Sequence, residues 1–411
     1  GPCSPAATHA KGQSCVSQDP PNTNPDDTLP GFALSTFPEA YLAYKRAAVS
    51  ATIGDQMFDS PWAAPYDGSR LKPAAYQGAA VKYAPGGWTF ELADMLQFES
   101  RTNNAFESAT LLTSHPAGAA GVPDDIYVPG GGSITTAGFL YARAGFADSA
   151  RGYAFNGYVY AVSDIVTMWW IDGRYELSRA GWKPFVAVQG GLENDNGAAV
   201  IGKIRSSVAG IRLGATPARD VAVDLSADTI PWRSDTLRLP APVTCSNSSH
   251  QIAAGAKVYP GTTFAYFLPV DAAQCVNNPG GTATVYYGGW ASPYTDSYSA
   301  DPLFTTQITQ GMADRRSPGF SWRLSATYTS PNRRVVFIAG DAWFDYGNAL
   351  AAQVTNEWTL DGQYHFSPVA HDRYRGLLLR YRYAQREQSN AQELGGLPLF
   401  KYNRAQMEYD F

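Results

Sequence analysis

The chain has 411 residues, and its net charge of −5, from 31 Lys and Arg against 36 Asp and Glu, excludes a nucleic-acid binder that relies on a basic surface. Hydrophobic residues make up 45% of the sequence and charged residues only 16%, which excludes a disordered chain. The 25 Tyr, 19 Phe, 39 Gly and 28 Pro favour strands and turns over long helices. No apolar run reaches the roughly 18 residues of a membrane-spanning helix, but a spanning β-barrel, whose strands alternate, stays open.

The first predicted element is an irregular segment, residues 1–35, which we place on the extracellular side. It opens on Gly-Pro, as processed termini do, and contains Cys3 and Cys15 in turn-rich sequence. Cys245 and Cys275 lie in a second turn-rich stretch, and none of the four has CxxC spacing. We therefore predict one disulfide within each pair and no metal site, which implies export to an oxidising compartment.

From residue 36 to residue 411, strand candidates come in pairs joined by very short turns, and long polar stretches separate the pairs. Short turns at one end and long loops at the other are typical of an outer-membrane barrel, and only the connection 162–167 is short at the long-loop end. The long connections are 59–72, 101–132 and 231–317. The fifteen predicted strands are the six hairpins 38–57, 74–98, 138–162, 167–192, 206–227 and 320–343, followed by the single strands 357–366, 374–383 and 400–411.

Within these strands, apolar and polar side chains alternate at period two. A soluble antiparallel sandwich would alternate in the same way, so the period alone does not separate a lipid-facing sheet from a protein core. Aromatic residues near strand ends favour the interfacial girdles of a membrane barrel. They include Trp88, Phe98, Trp169, Tyr328 and Trp343.

The last predicted strand ends in FKYNRAQMEYDF. Ala405, Met407, Tyr409 and Phe411 share one face, and polar residues occupy the other. An amphipathic last strand that ends in Phe, with Tyr two residues before it, resembles the signal that the outer-membrane insertion machinery reads.

Several short motifs occur along the predicted strands and the loops next to them. They are Ile53-Gly54-Asp55-Gln56, then Asp67-Gly68-Ser69-Arg70-Leu71-Lys72-Pro73 with Tyr76-Gln77-Gly78, then Val162-Ser163-Asp164-Ile165 with Trp169-Trp170, and more weakly Asp301-Pro302-Leu303-Phe304. Together these segments resemble the OprD-type porin family, the monomeric substrate-selective channels of Gram-negative outer membranes. The similarity covers roughly residues 36–411, at moderate specificity, because the family has no invariant catalytic signature.

The resemblance implies an all-β, transmembrane antiparallel barrel of eighteen strands, of which this sequence supplies about fifteen. Three N-terminal strands are then expected beyond the fifteen. Two further segments, 250–259 and 262–269, fit either wall strands or a hairpin within the long extracellular loop 231–317. The resemblance also implies that the loop 59–72 folds inwards as a pore constriction, with Asp59, Asp67, Arg70 and Lys72 as its charged residues.

No enzyme signature is present, and five scattered histidines offer no metal-ligand spacing, so we expect neither catalysis nor a cofactor. The parity of the strands instead points a set of arginines into the lumen. Such a column would guide a carboxylate through bidentate hydrogen bonds. The alternative is that these arginines only pair with acids such as Asp172, Glu176, Asp224, Asp361 and Glu408. The predicted substrate-path residues are Arg174, Arg212, Arg323, Arg380, Arg382 and Arg404.

These patterns predict a bacterial outer-membrane channel for passive uptake of small carboxylate-bearing nutrients, such as amino acids or aromatic acids. We expect a monomer whose partners are the solute, outer-membrane lipid and, during biogenesis, the barrel-insertion machinery, with no nucleic acid. Two alternatives are a general diffusion pore and a secreted β-sandwich or propeller that binds carbohydrate.

Overall fold

A computed structural model gives the fold of the chain. It describes residues 35–63, 72–100, 104–115, 126–127, 132–177, 181–238, 273–275, 282–295, 301–313, 318–346, 354–367, 376–388 and 399–409. Within these ranges, no helix is long and apolar enough to cross a membrane.

Strands make up all of the regular structure in the described ranges, and the fold class is therefore all-β, as predicted. Their bounds are β1 Ala40–Arg46, β2 Val49–Gln56, β3 Ala75–Tyr83, β4 Trp88–Glu99, β5 Ala109–His115, β6 Ile126–Tyr127, β7 Gly132–Thr135, β8 Phe139–Asp148, β9 Tyr153–Val162, β10 Val166–Glu176, β11 Phe185–Asp195, β12 Arg205–Ala218, β13 Val221–Ile230, β14 Arg233–Arg238, β15 Ala273–Cys275, β16 Thr282–Tyr287, β17 Gly319–Thr329, β18 Val335–Asp345, β19 Val354–His365, β20 Leu377–Gln388 and β21 Leu399–Tyr409.

One antiparallel sheet contains fifteen of these strands, in the order β1-β2-β3-β4-β8-β9-β10-β11-β12-β13-β17-β18-β19-β20-β21. The fifteen are the strands that the sequence predicted, each paired with its neighbour along the chain. A single meander of this size rules out the sandwich and propeller folds, which divide their strands among several sheets. Two three-stranded sheets, β14-β16-β15 and β6-β5-β7, are formed from the long connections.

The two faces of the large sheet differ in polarity because side chains alternate along each strand. In β17, Leu324 is 54% exposed on the outer face, whereas the neighbouring Ser325 is 2% exposed on the inner face. The outer face is apolar and exposed along most strands, as lipid contact requires. Asp94 is an exception, since this carboxylate is exposed on the outer face between Leu92 and Leu96.

The prediction that Phe98 belongs to an outer aromatic girdle is wrong. The pairing of β3 with β4 shifts between Gln77 and Gly78, where β4 carries an extra residue. A bulge of this kind reverses the facing of every later residue in its strand. Phe98 is therefore 2% exposed on the inner face, with its ring 5.2 Å from that of Tyr76.

Connections are short at one end of the sheet and mostly long at the other, as predicted. At the long-loop end, β9 and β10 are joined by residues 163–165 alone, and Asp164 takes a left-handed conformation with φ of 62°. That tight turn matches the short connection predicted at 162–167.

Part of the longest connection lies inside the curved sheet. We call residues 288–295 and 301–313 the inner segment. Tyr294 packs on Tyr76 of β3, and Thr309 bonds Glu357 of β19 and Arg386 of β20. Contact with strands so far apart in the sheet requires that the sheet curl around the segment. These residues of the predicted outer loop 231–317 therefore lie in the lumen, because wall side chains satisfy their backbone polar groups.

Candidate functional site

The inner face of the sheet carries ion pairs in the half near the short turns. Arg212 of β12 donates two hydrogen bonds to Asp224 of β13, from Nε at 2.8 Å and from Nη2 at 2.9 Å. The pair forms because the two strands are neighbours and both residues face inwards. The Arg212 side chain is 33% exposed, whereas the Asp224 side chain is 8% exposed.

Arginines lie on the inner face of the last two strands of the sheet. Arg380 of β20 donates from Nε to Asp361 at 3.0 Å, and Arg382 approaches the same carboxylate at 3.4 Å. Arg404 of β21 lies directly opposite Arg382 in the register and also faces inwards, with no partner among the described residues. We call Arg380, Arg382 and Arg404 the basic strip, in which Arg380 and Arg382 both contact the Asp361 carboxylate.

Arg174 also lies on the inner face, near the short-turn end of β10. Its guanidinium group lies 3.5 Å from the centroid of the Phe185 ring and donates to Glu176 at 2.9 Å. The group is exposed, so it stands where the lumen opens at the short-turn end.

Sequence reasoning missed Arg143 of β8, which lies on the inner wall. It donates to Glu91 at 3.2 Å and to Asn156 at 2.9 Å, and Asn156 in turn donates to Asp172 at 2.7 Å. The alternation of side chains along β8 would have identified it, because Leu140 faces outwards and Arg143, three residues later, must therefore face inwards. This wall is close to charge-neutral, unlike the basic strip.

Two other arginines lie against the inner segment instead of the open lumen. Arg323 of β17 donates to the Thr306 carbonyl at 3.0 Å, and Arg386 of β20, which sequence reasoning did not select, donates to the Thr309 carbonyl at 3.3 Å. The predicted set of six therefore divides. Arg323 contacts backbone. Four members pair with acids of the wall, as the alternative interpretation expected, and they are Arg174, Arg212, Arg380 and Arg382. Arg404 faces inwards without a partner among the described residues.

The loop 59–72 is described only in part, at 59–63 and at residue 72. Trp62 is fully buried against the inner wall, where its backbone N–H donates to the Tyr160 hydroxyl at 3.3 Å and its ring lies 5.2 Å from that of Trp170. Since Tyr160 and Trp170 belong to β9 and β10, this part of the loop crosses into the lumen. Asp59 is exposed there.

Lys72, at the other end of this loop, forms a buried ion pair with Glu99 at 2.8 Å. Burial lowers the pKa of the Lys72 ammonium group, and the hydrogen bond to Glu99 opposes that effect. Lys72 is thus engaged in a structural pair and does not face the open pore. Asp67 and Arg70 lie outside the described residues.

The inner segment contains a buried carboxyl group at Asp301. It accepts hydrogen bonds from the Leu303 amide at 3.0 Å and from the Thr306 hydroxyl, while its second oxygen has no partner in the described residues. Burial raises the pKa of Asp301 to about 7. This group therefore changes charge near neutral pH.

Other predicted features fall outside the described residues or stay predictions. Cys3, Cys15 and Cys245 are not described, and neither is the side chain of Cys275, so both disulfides stay predictions. The segments 250–259 and 262–269 are likewise outside the described ranges. Within those ranges, no group of three or more His, Cys, Asp or Glu could hold a metal ion.

Comparison with known proteins identifies the fold. No family model and no curated protein matches the sequence. Among solved structures, OpdK of Pseudomonas aeruginosa with vanillate is 14% identical, with a TM-score of 0.58 over 90% of this chain and 77% of that one. OccK2 (OpdF) of the same species, in complex with glucuronate, is 12% identical, with a TM-score of 0.60 over 90% and 79%.

A BenF-like porin from Pseudomonas fluorescens Pf-5 is 10% identical, with a TM-score of 0.62 over 90% of this chain and 76% of that one. At such identities, the likeness concerns the fold. It agrees with the resemblance inferred from the motifs of strands β2, β3, β9 and β10. The chain therefore has the fold of the OprD-type outer-membrane porins.

Proposed function

We propose that this chain is a passive channel of the bacterial outer membrane for small solutes that carry a carboxylate. The basic strip carries this proposal, because Arg380, Arg382 and Arg404 place three cations on two neighbouring strands, next to the Asp361 carboxylate of β19. A guanidinium group binds a carboxylate through two parallel hydrogen bonds, and a water-filled lumen keeps that binding weak enough for release.

Two of the solved structures support the choice of solute. OpdK was crystallised with vanillate and OccK2 with glucuronate, and both ligands are carboxylates. We extend that chemistry to this chain as amino acids or aromatic acids. Transport is downhill and needs no cofactor, and the channel acts as a monomer.

Liposome swelling tests the proposal with solutes of matched size. Benzoate-type acids and amino acids should enter faster than neutral sugars, because only the acids engage the basic strip. Equal rates for acids and sugars of one size would reduce the protein to a general diffusion pore. No swelling with any solute would contradict the channel function itself.

A variant that removes the arginines of the basic strip must also remove the Asp361 carboxylate with which they pair. Removal of Arg380 and Arg382 together would leave the Asp361 carboxylate without its two cationic partners and so destabilise the wall. The triple variant R380Q/R382Q/D361N removes both cations and the anion and should lower carboxylate flux while the barrel still folds. Unchanged acid flux in that folded variant would place the substrate contacts elsewhere.

A further inference from the structure

We propose that three wall carboxylates, Glu193, Asp228 and Glu357, are positioning residues that clamp the inner segment inside the lumen and so set the size limit of the channel. This inference rests on the proposed channel function and extends it to the residues that determine which solutes fit.

Each of the three carboxylates accepts a hydrogen bond from a backbone N–H of the inner segment. Glu193 of β11 accepts from Ala291 at 2.8 Å. Asp228 of β13 accepts from Thr305 at 2.7 Å. These two clamp points therefore lie on separate strands, one on each of the two parts of the inner segment.

Glu357 of β19 makes the third contact, with Thr309. One carboxylate oxygen accepts from the Thr309 amide at 2.9 Å, and the other accepts from the Thr309 hydroxyl at 2.6 Å. Both oxygens thus accept hydrogen bonds from Thr309 of the segment. This geometry fixes the position and the orientation of Thr309 relative to the wall.

Burial explains why carboxylates occupy these positions. Glu193 and Asp228 are 1% exposed and Glu357 is fully buried. Irregular backbone inside a protein must have its amide groups satisfied, and a carboxylate accepts such bonds about twice as strongly as a neutral oxygen does. In return, the amides offset the cost of burying the carboxyl groups.

Wall donors complete the clamp at carbonyl groups of the same segment. Arg323 donates to the Thr306 carbonyl and Arg386 to the Thr309 carbonyl. The Ser206 hydroxyl donates to the Gly288 carbonyl. Wall groups therefore bond backbone donors and backbone acceptors of the segment, and these bonds hold the segment in the lumen. Solutes are then confined to the part of the lumen that it leaves open.

Single-channel recording in planar bilayers tests the clamp with two double variants of the whole protein. E357A/D228A removes two clamp points and should raise the conductance about twofold or more, because the released segment no longer narrows the pore. E357Q/D228N removes the same charges but keeps an amide oxygen that accepts from the Thr305 and Thr309 amides. That variant should conduct as the unchanged protein does.

Glu408→Ala is the matched control, since Glu408 is another lumen carboxylate but bonds Gln406 instead of the inner segment. It should leave the conductance unchanged. An alanine pair with unchanged conductance would overturn the clamp, and so would equal increases in the alanine and amide pairs, which would assign the effect to charge.

Two further measurements distinguish a failure of the clamp proposal from a failure of folding or of the channel function. Heat-modifiable gel migration shows whether each variant forms a barrel. If the alanine pair does not fold, Thr309→Ala weakens the clamp from the segment side and should increase open-channel noise. A trace as quiet as that of the unchanged protein would then count against the clamp. An unchanged protein that does not conduct at all would contradict the proposed function instead.

Discussion

The two halves of the lumen use the same residue type in opposite ways. Near the short turns, Arg212 pairs with Asp224 of the wall and keeps part of its guanidinium group exposed. Near the long loops, Arg386 is buried and donates to a backbone carbonyl of the inner segment. We call the half near the short turns the open half and the half near the long loops the covered half. Both contain inward-facing arginines, but the inner segment determines whether a solute can reach them.

The largest expected effect is a loss of stability in the covered half, at the buried Lys72–Glu99 pair. Lys72→Met leaves the Glu99 carboxylate buried without its cation, which should lower the free energy of unfolding by about 3 kcal/mol. Denaturant unfolding in detergent, followed by tryptophan fluorescence, measures the change. The double variant K72M/E99Q should recover most of the loss. A single variant as stable as the unchanged protein would show that the pair is not a structural contact.

A direct comparison of the halves replaces one arginine in each. Arg386→Met removes a buried charged donor and should destabilise the protein by about 2 kcal/mol. The double variant R212M/D224N removes both partners of a partly exposed ion pair and should cost at most about 1 kcal/mol, because the pair is partly screened and no charge is left unpaired. The same unfolding assay serves for both. Equal losses would remove the distinction between a covered and an open half.

Much of the open half could be predicted from the sequence. Strand parity placed Arg212, Arg380 and Arg404 on the same face as other polar residues, because a strand has a strict period of two. The fifteen strands and the tight turn near Asp164 were predictable for the same local reason. Local pattern also contained the signal for Arg143, although it was overlooked.

The covered half could not be predicted, because it depends on contacts between residues far apart in the chain. Glu193 and Ala291 are 98 residues apart, and no sequence pattern near either residue predicts the hydrogen bond between them. The reversed facing of Phe98 depends on a bulge that only the pairing of two strands reveals. Arg323 had the right parity, yet the inner segment determines what it contacts.

A smaller effect concerns the pH response of the covered half through Asp301. Its pKa in the folded protein is about 7, against an ordinary value of 3.8, so the folded form holds a proton that the unfolded form loses. Stability of the inner segment should fall as pH rises from about 4 to about 7 and level off above that. Asp228 is the nearby charge that opposes ionisation of Asp301.

Current noise in planar bilayers measures this response, with more flicker at pH 8 than at pH 6. Asp301→Asn cannot ionise and should give the same quiet trace at both pH values. Flicker that rises with pH equally in the Asn variant would assign the response to another group.

The most direct test of the central claim, that the basic strip selects anions, is the reversal potential across a KCl gradient. Arg404 has no partner in the described residues, so Arg404→Gln removes a cation while no described carboxylate loses its ion-pair partner. Lys401→Gln on the outer face of the same strand is the matched control. The account predicts a lower anion preference for R404Q and no change for K401Q. An R404Q channel with the reversal potential of the unchanged protein would contradict it.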